Sequence, residues 1–308
     1  MSPSILPTAL REGVEAALSS RVGRSVEILG AEPVTGGCIH QTVRISTNLR
    51  EDFFLKWAQD PLSDVFAAEA DGLSALKGST GDSIDLTLPE VVGHSDTRAR
   101  PAWLLLEYVP HGSPGGDYAE RLGRALAALH QPGQGRYGWH RSNYIGSLPQ
   151  ANAPMDDWPA FWWSQRLEPQ WVMASDNGWL AGLDREWAAL ESKLPDLLKA
   201  AEEDGCSILH GDLWSGNVYP GPDGGPVLVD PAVYRGHREV DLAMTELFGG
   251  FPRAFYAAYE DHSPLEDGYE DLRRCVYQLY PLLVHVNLFG GSYVNGVAGA
   301  LRRAVASR

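Results

Sequence analysis

The strongest chemical signal in the chain is the run His210-Gly211-Asp212-Leu213-Trp214-Ser215-Gly216-Asn217. A carboxylate on a loop after a short strand can stand beside an acceptor hydroxyl and receive its proton. Five residues further on, an amide oxygen can turn back to a magnesium ion, an arrangement suited to phosphoryl transfer. Asp, Ser, Gly and Asn are also turn formers, so the run alone is compatible with a solvated turn. Asp230 weighs against that plainer reading. It ends the apolar stretch Val227-Leu228-Val229, thirteen residues beyond Asn217, where a second metal-holding carboxylate would be needed. An Asp that merely starts a turn before Pro231 is the alternative. Together the three make Asp212 the expected proton acceptor, with Asn217 and Asp230 as the expected magnesium ligands.

A phosphoryl donor such as ATP needs cationic and amide groups around its phosphates. Lys56 lies inside Phe53-Phe54-Leu55-Lys56-Trp57, and an ammonium in an apolar strand needs a partner because burying it unpaired is costly. Phosphate would serve, and so would Glu69. Phe66, Leu73 and Leu76 line one face of a helical stretch, 62–76, and Glu69 falls on that face. A twist in either element would instead expose both groups. Upstream, Thr35-Gly36-Gly37-Cys38-Ile39-His40 separates two predicted strands. Gly36, Gly37 and Cys38 form the expected nucleotide loop, because glycines let backbone amides approach phosphate oxygens. Gly-Gly is also an ordinary hairpin turn. Cys38 reads chiefly as a small apolar residue, with thiol oxidation as the other possibility. Leu104-Leu105-Leu106 runs into Glu107-Tyr108-Val109-Pro110, where backbone groups of Glu107 and Val109 could bond an adenine edge. A strand followed by a turn fits the same letters. Asp241, in Arg238-Glu239-Val240-Asp241, either accepts hydrogen bonds that hold the catalytic loop or is a first-turn acid at a positive helix end.

The elements that must position these groups fall into two sets. Two strands between Val26 and Ile45, a third at 52–57, a helix at 62–76 and strands at 91–94 and 102–109 make a small sheet with one inward helix. The break at 110–116 is followed by a helix at 118–130, a long loop to about Pro154 and helices at 161–173 and 184–201. Short strands follow at 207–210, 217–219 and 226–229, and the remainder from Glu239 is mainly helical. The expected fold is α+β and bilobal: a β-rich N-lobe over residues 1–108 and a larger helical C-lobe over 109–308, joined near Glu107-Tyr108-Val109.

Composition narrows the function classes. With 44% hydrophobic and 21% charged residues, the chain is expected to form a packed core. The formal net charge of −15 and the absence of a Lys/Arg run argue against nucleic acid and against an anionic membrane surface. The longest apolar stretch, 276–289, contains Gln278, Pro281, His285 and Asn287 and is too short and polar to span a bilayer. The first eighteen residues read as an amphipathic helix and not as a signal peptide. Cys38, Cys206 and Cys275 are far apart, so neither a disulfide framework nor a zinc site is expected, and a reducing cytoplasm fits best.

The run 210–217 matches the kinase catalytic-loop pattern H-x-D-L-x-x-x-N. Asp241 lies only eleven residues beyond Asp230, which leaves no room for the activation segment of a regulated protein kinase, and Gly211 replaces the arginine that would pair with its phosphate. Several longer blocks add a more specific likeness. They include Phe66-Ala67-Ala68-Glu69, Asn143-Tyr144-Ile145-Gly146-Ser147-Leu148-Pro149-Gln150, Trp158 with Phe161-Trp162, and Arg166-Leu167 with Pro169-Gln170. The series continues through 230–239, 241–251 and Asn287-Leu288-Phe289-Gly290. On these the chain resembles the fructosamine kinases, or ketosamine-3-kinases, along nearly its whole length. The resemblance implies ATP- and Mg2+-dependent phosphorylation of the sugar 3-hydroxyl of a ketoamine, free or protein-bound, whose unstable phosphate then leaves and repairs the glycated amine. It also makes Trp214 the expected platform for the sugar, and an acidic cleft would favour a cationic amine. Pro281, Val284 and Val286 are less polar than that likeness leads one to expect. A related kinase for an aminoglycoside, a choline-like alcohol, another sugar or another small molecule, or an inactive nucleotide-binding or scaffold protein, is the alternative expectation.

Overall fold

A computed structural model describes residues 6–34, 40–60, 64–80, 84–133 and 135–306. Gly36, Gly37 and Cys38 of the expected nucleotide loop lie outside the described residues. Helix α1 (Thr8–Val22) buries Leu10, Val14 and Leu18, one stripe at four-residue spacing, and ends at Gly23 in the left-handed conformation. Strands β1 (Ile28–Pro33), β2 (Gln41–Thr47), β3 (Asp52–Ala58), β4 (Val91–His94) and β5 (Ala102–Glu107) form one antiparallel sheet in the order β1-β2-β3-β5-β4. Helix α2 (Val65–Thr80) packs on one face of it.

Strand alternation decides where each side chain goes. Phe53, Leu55 and Trp57 of β3, with Trp103 and Leu105 of β5, join the α1 stripe in a small core on one face. Leu104 and Leu106 face the other way and join α2 and the main core of the helical part. Lys56 pairs with Leu104 and Thr42 across the central strand, so it must emerge on the α2 side. The apolar letters around Lys56 therefore belong to the opposite face.

The second part begins with α3 (Tyr118–Leu129). The expected long loop holds a hairpin, β6 (Asn143–Ile145) and β7 (Leu148–Gln150), turning at Gly146 with φ 59°. The single helix expected at 161–173 runs further. It comprises α4 (Trp158–Phe161), a π-helical turn (Trp162–Leu167) and α5 (Glu168–Asp176). The turn accompanies an inward Arg166, buried over the Tyr234 ring at 3.9 Å and bonded to Asn152 Oδ1 at 2.6 Å. Helix α6 (Asp184–Asp204) leads to β8 (Ser207–Leu209), β9 (Val218–Pro220) and β10 (Pro226–Leu228). Strand β11 (Tyr234–Gly236) pairs antiparallel with β8, a three-residue partner too short to show as a pattern in sequence. Helices α7 (Glu239–Thr245), α8 (Arg253–His262), α9 (Arg274–Phe289) and α10 (Val294–Ala306) complete the chain. The expected α+β, bilobal kinase-like architecture is what forms. No helix among the described residues is long and apolar enough to cross a membrane.

Candidate active site

The catalytic-loop run occupies the space between β8 and a short 3-10 turn at Ser215–Asn217. Its shape is fixed largely from below. Buried Asp241, in the first turn of α7, accepts the N–H of His210 at 2.8 Å and of Gly211 at 2.9 Å. His130 Nε2 lies 3.1 Å from the same carboxylate and its Nδ1 lies 3.0 Å from the Tyr259 hydroxyl. Burial opposes the Asp241 charge, but His130, His210 and the Gly211 N–H outweigh it and hold the carboxyl below its ordinary value. Asp241 thus holds the catalytic loop, the first of its two possible roles. Gly211 has φ 80°, and a Cβ there would meet the Ala232 carbonyl oxygen at 2.2 Å. An arginine at this position would force the loop away from the segment that follows Asp230.

Asp212 projects from this loop into the cleft. Asn217 Nδ2 donates to its carbonyl at 2.8 Å and to its carboxylate at 3.2 Å. Burial, reinforced by the nearby Asp230 and Asp241 charges, pushes Asp212 up to about 7, with Asn217 as the opposing influence. Buried His210 donates from Nε2 to the Val229 carbonyl at 2.9 Å and accepts the Asp212 N–H on Nδ1 at 3.3 Å. That pattern requires the neutral ring, and burial pushes its pKa down. The bond ties the loop to the strand that delivers Asp230. Asp230 itself has φ 57°, a left-handed conformation that Asp tolerates better than most residues.

Lys56 and Glu69 meet as the helical face predicted, Nζ to Oε1 at 2.6 Å, and the ammonium also pairs with Asp230. Burial opposes the Lys56 charge, but Asp230 and Glu69 outweigh it and hold the group above its ordinary value. The Lys56 side chain is 7% exposed, whereas Asp230 is 39% exposed. The bracket is therefore closed on the Glu69 side and open on the Asp230 side.

Two cavities meet at this bracket and share Thr42, Lys56 and Asp230. One is lined by Phe54, Pro89, Leu106, Val109, Val218 and Val229, an apolar slot beside Glu107. Here the Glu107 N–H is taken by the Glu90 carbonyl at 2.9 Å, and the Val109 carbonyl takes the Tyr219 hydroxyl at 3.0 Å. The other opens on Asp212, Trp214 and Asn217 and is walled by Asn143, Tyr144, Ile145 and Gly146 of the hairpin and by Val284, His285 and Phe289 of α9. The Trp214 ring covers Gly216, where a Cβ would meet it at 2.3 Å, and its edge faces Phe248 at 6.3 Å.

The structure thus brings Lys56, Glu69, Asp212, Trp214, Asn217 and Asp230 together, with Glu107 and Val109 beside the apolar slot. His40, the hairpin wall and His285 are cleft residues to which sequence reasoning gave no place in the site. The turn at Gly146 between Tyr/Ile and Leu was a legible hairpin signal. The closing of α9 over the cleft had no local signal, and Val284, whose apolar character looked anomalous, is part of that wall. For a divalent cation the candidate donors are the Asn217 amide oxygen and the Asp230 carboxylate, hard oxygen groups. Among the described residues no cluster of three or more His, Cys, Asp or Glu could hold a metal ion. That donor set fits magnesium, which is commonly held through one or two protein ligands with substrate phosphates and water, and does not fit a dedicated protein cage.

Comparison with known proteins identifies the family and the fold. The profile of the fructosamine kinase family matches residues 11–307. A probable ketoamine kinase of Synechocystis sp. is 39% identical over 277 residues, covering 90% of each chain. A crystal structure from Thermobifida fusca, assigned by its name to fructosamine-3-kinase, superposes with a TM-score of 0.81 at 34% identity and covers 96% of this chain and 99% of that one. An aminoglycoside phosphotransferase with ADP and hygromycin B bound, 15% identical with a TM-score of 0.60 over 96% of this chain and all of its own, shares the kinase-like fold alone. By the match along nearly its entire length, and with the catalytic loop seated as described, this chain belongs to the fructosamine kinase family.

Proposed function

We propose that the protein phosphorylates the sugar 3-hydroxyl of a ketoamine, a fructosamine or ribulosamine, with ATP as donor. The observation that carries this is the junction of the two cavities. A slot shaped for a flat apolar base and a polar acceptor cleft share Lys56 and Asp230, and Asp212 faces the acceptor side. The adenine edge would meet the Glu107 carbonyl and the Val109 N–H, since the other backbone groups of that pair are already bonded. Lys56, oriented by Glu69, would bind the donor phosphates. Gly36, Gly37 and Cys38 would cover them. Asn217 and Asp230 would hold Mg2+, which supplies positive charge across the phosphate oxygens. The division into lobes falls at residues 108 and 109 on this reading.

Asp212 takes the acceptor proton. A general base works best with a pKa near the operating pH, and burial beside two other carboxylates brings this one to about 7. The Asn217 amide holds the carboxylate in line. Trp214 offers the sugar a flat face. The 3-phosphate of a ketoamine is unstable, so the consequence of the reaction is release of the amine and repair of glycation. The two described cysteines, Cys206 and Cys275, are free and buried, which supports a cytoplasmic setting. Turnover of ATP with fructosyl-lysine, ribulosyl-lysine and an aminoglycoside, with NMR assignment of the phosphorylated carbon, tests the reading. It expects 3-phosphorylation of a ketoamine. Turnover confined to the aminoglycoside would overturn it.

A further inference from the structure

Helix α2 carries Glu69, and in a kinase-like fold the placement of that helix decides whether Lys56 is held. Here its outward face is gripped by the chain just before and within β6. Asp64, at the start of α2, accepts Arg141 Nη2 at 2.6 Å and the Tyr144 hydroxyl at 2.5 Å. Arg141 Nη1 reaches the Ala67 carbonyl at 3.3 Å. One turn on, Asp71 accepts the Trp139 indole N–H at 2.7 Å and lies 3.2 Å from His140 Nε2. The segment therefore bonds α2 on both sides of Glu69 in sequence.

The same segment is bonded to the chain that carries Asp230. Asn143 Nδ2 donates to the Val233 carbonyl at 2.8 Å, and Gly138 and Arg235 exchange backbone bonds at 2.8 and 2.9 Å. Asn143 is itself held by the amides of Gln150 and Asn152, both at 2.8 Å. Gly72 of α2 lies so close to Val233 that a Cβ would meet its Cγ2 at 3.0 Å. Glu69 and Asp230 are the two carboxylates that bracket Lys56, and one segment holds both of their elements.

We infer that residues 139–144 form a positioning strap: Asp64, Arg141 and Tyr144, with Asp71 and Trp139, hold α2 so that Glu69 stays on Lys56. The inference rests on the proposed kinase reading for its functional meaning. The strap holds α2 by contacts within the fold, in a chain that has no room for an activation segment between Asp230 and Asp241. It also borders the acceptor cleft through Asn143 and Tyr144. Arg141 and Tyr144 act through Glu69 and not on the reacting atoms.

The test compares Arg141→Gln, Asp64→Asn and Tyr144→Phe in two backgrounds, the natural chain and Glu69→Gln. The readouts are the dissociation constant of MgATP without acceptor and kcat/KM for ATP with a ketoamine. In the natural background each change is expected to lower kcat/KM by roughly 2- to 30-fold, the size typical of residues that act through another element. In the Glu69→Gln background the further loss should fall below about twofold, because the element they position no longer engages Lys56. The exchange Asp64→Arg with Arg141→Asp should recover part of the loss. Equal losses in both backgrounds, or no loss in the first, overturn the strap. Should Arg141→Gln fail to fold, Tyr144→Phe removes a single hydroxyl and carries the same comparison. A natural chain that binds MgATP but phosphorylates no ketoamine refutes the substrate reading instead, and the binding readout still decides the strap.

Discussion

The acid groups of the cleft and those at the base of the helical part are the same residue types in opposite electrostatic states. Asp212, buried with Asp230 and Asp241 nearby and only an amide to help it, is pushed up to about 7. Asp204 ends α6 beside His237 Nε2 at 3.0 Å and Arg238 Nε at 2.6 Å. Burial opposes its charge, yet those partners bring it down to about 2. Buried Glu239 is likewise met by two nitrogens of Arg273, at 2.6 and 2.7 Å. There Asp204 and Glu239 each have a cation within the chain. In the cleft there is one ammonium for two bracketing carboxylates, and Asp212 has none. A cleft that gathers more negative charge than its own side chains neutralise is prepared for an external cation, whereas the base is finished structure.

The comparison can be broken at several points. The largest effect is expected from Asp212→Asn, which should lower kcat by about 10²–10⁴-fold, the usual worth of a positioned general base. MgATP affinity should barely change, and stability should hold or rise because a poorly solvated carboxyl becomes neutral. Unaltered kcat would remove Asp212 from the chemistry. Arg273→Met asks the converse. It leaves Glu239 buried without its cation and should cost about 3–5 kcal/mol in urea unfolding, the penalty of breaking a buried pair from one side. Thermal unfolding with Mg2+ and a non-hydrolysable ATP analogue gives the third. At a hundredfold excess over Kd the native state gains about 2.7 kcal/mol, and Asp230→Asn should abolish most of the Mg2+-dependent part. A shift retained in full by that variant would take Asp230 out of the cation site.

The fourth comparison is the pH dependence of stability of the metal-free protein, where the two regions carry opposite signs. Asp212 has a raised folded pKa, so the native state binds the extra proton between about 7 and the ordinary carboxylate value near 4. Its contribution makes the fold more stable as pH falls through that window. Asp204 has a lowered folded pKa of about 2, so its stabilisation is complete above about 4 and is lost as pH falls towards 2. Urea midpoints across pH should show the first trend vanish in Asp212→Asn and the second in Asp204→Asn. Identical profiles for both variants would mean that the two regions do not differ.

Much of the site was legible because its signals are local. The Asp212–Asn217 spacing, the carboxylate closing an apolar strand at Asp230, and Glu69 on the face of Phe66 and Leu73 all follow from short-range geometry that a strand or helix imposes. The bilobal α+β order followed from the same periodicities. The helix at 158–176 was read short at both ends, and the π-helical turn at Trp162–Leu167 inside it carried no local signal.

By itself the sequence therefore determined which groups could do the chemistry, and on which elements they stand. Only the tertiary structure decided that Asp241 holds the catalytic loop, since a first-turn acid and a loop anchor read alike until His210, Gly211 and His130 converge on it from three places in the chain. It alone decided that the hairpin after α3 wraps α2, that α9 closes the acceptor cleft, and that the pKa values of Asp204 and Asp212 are shifted in opposite directions. The physical reason is common to all four. Burial and the sum of nearby charges depend on residues far apart in sequence, and no local pattern records them.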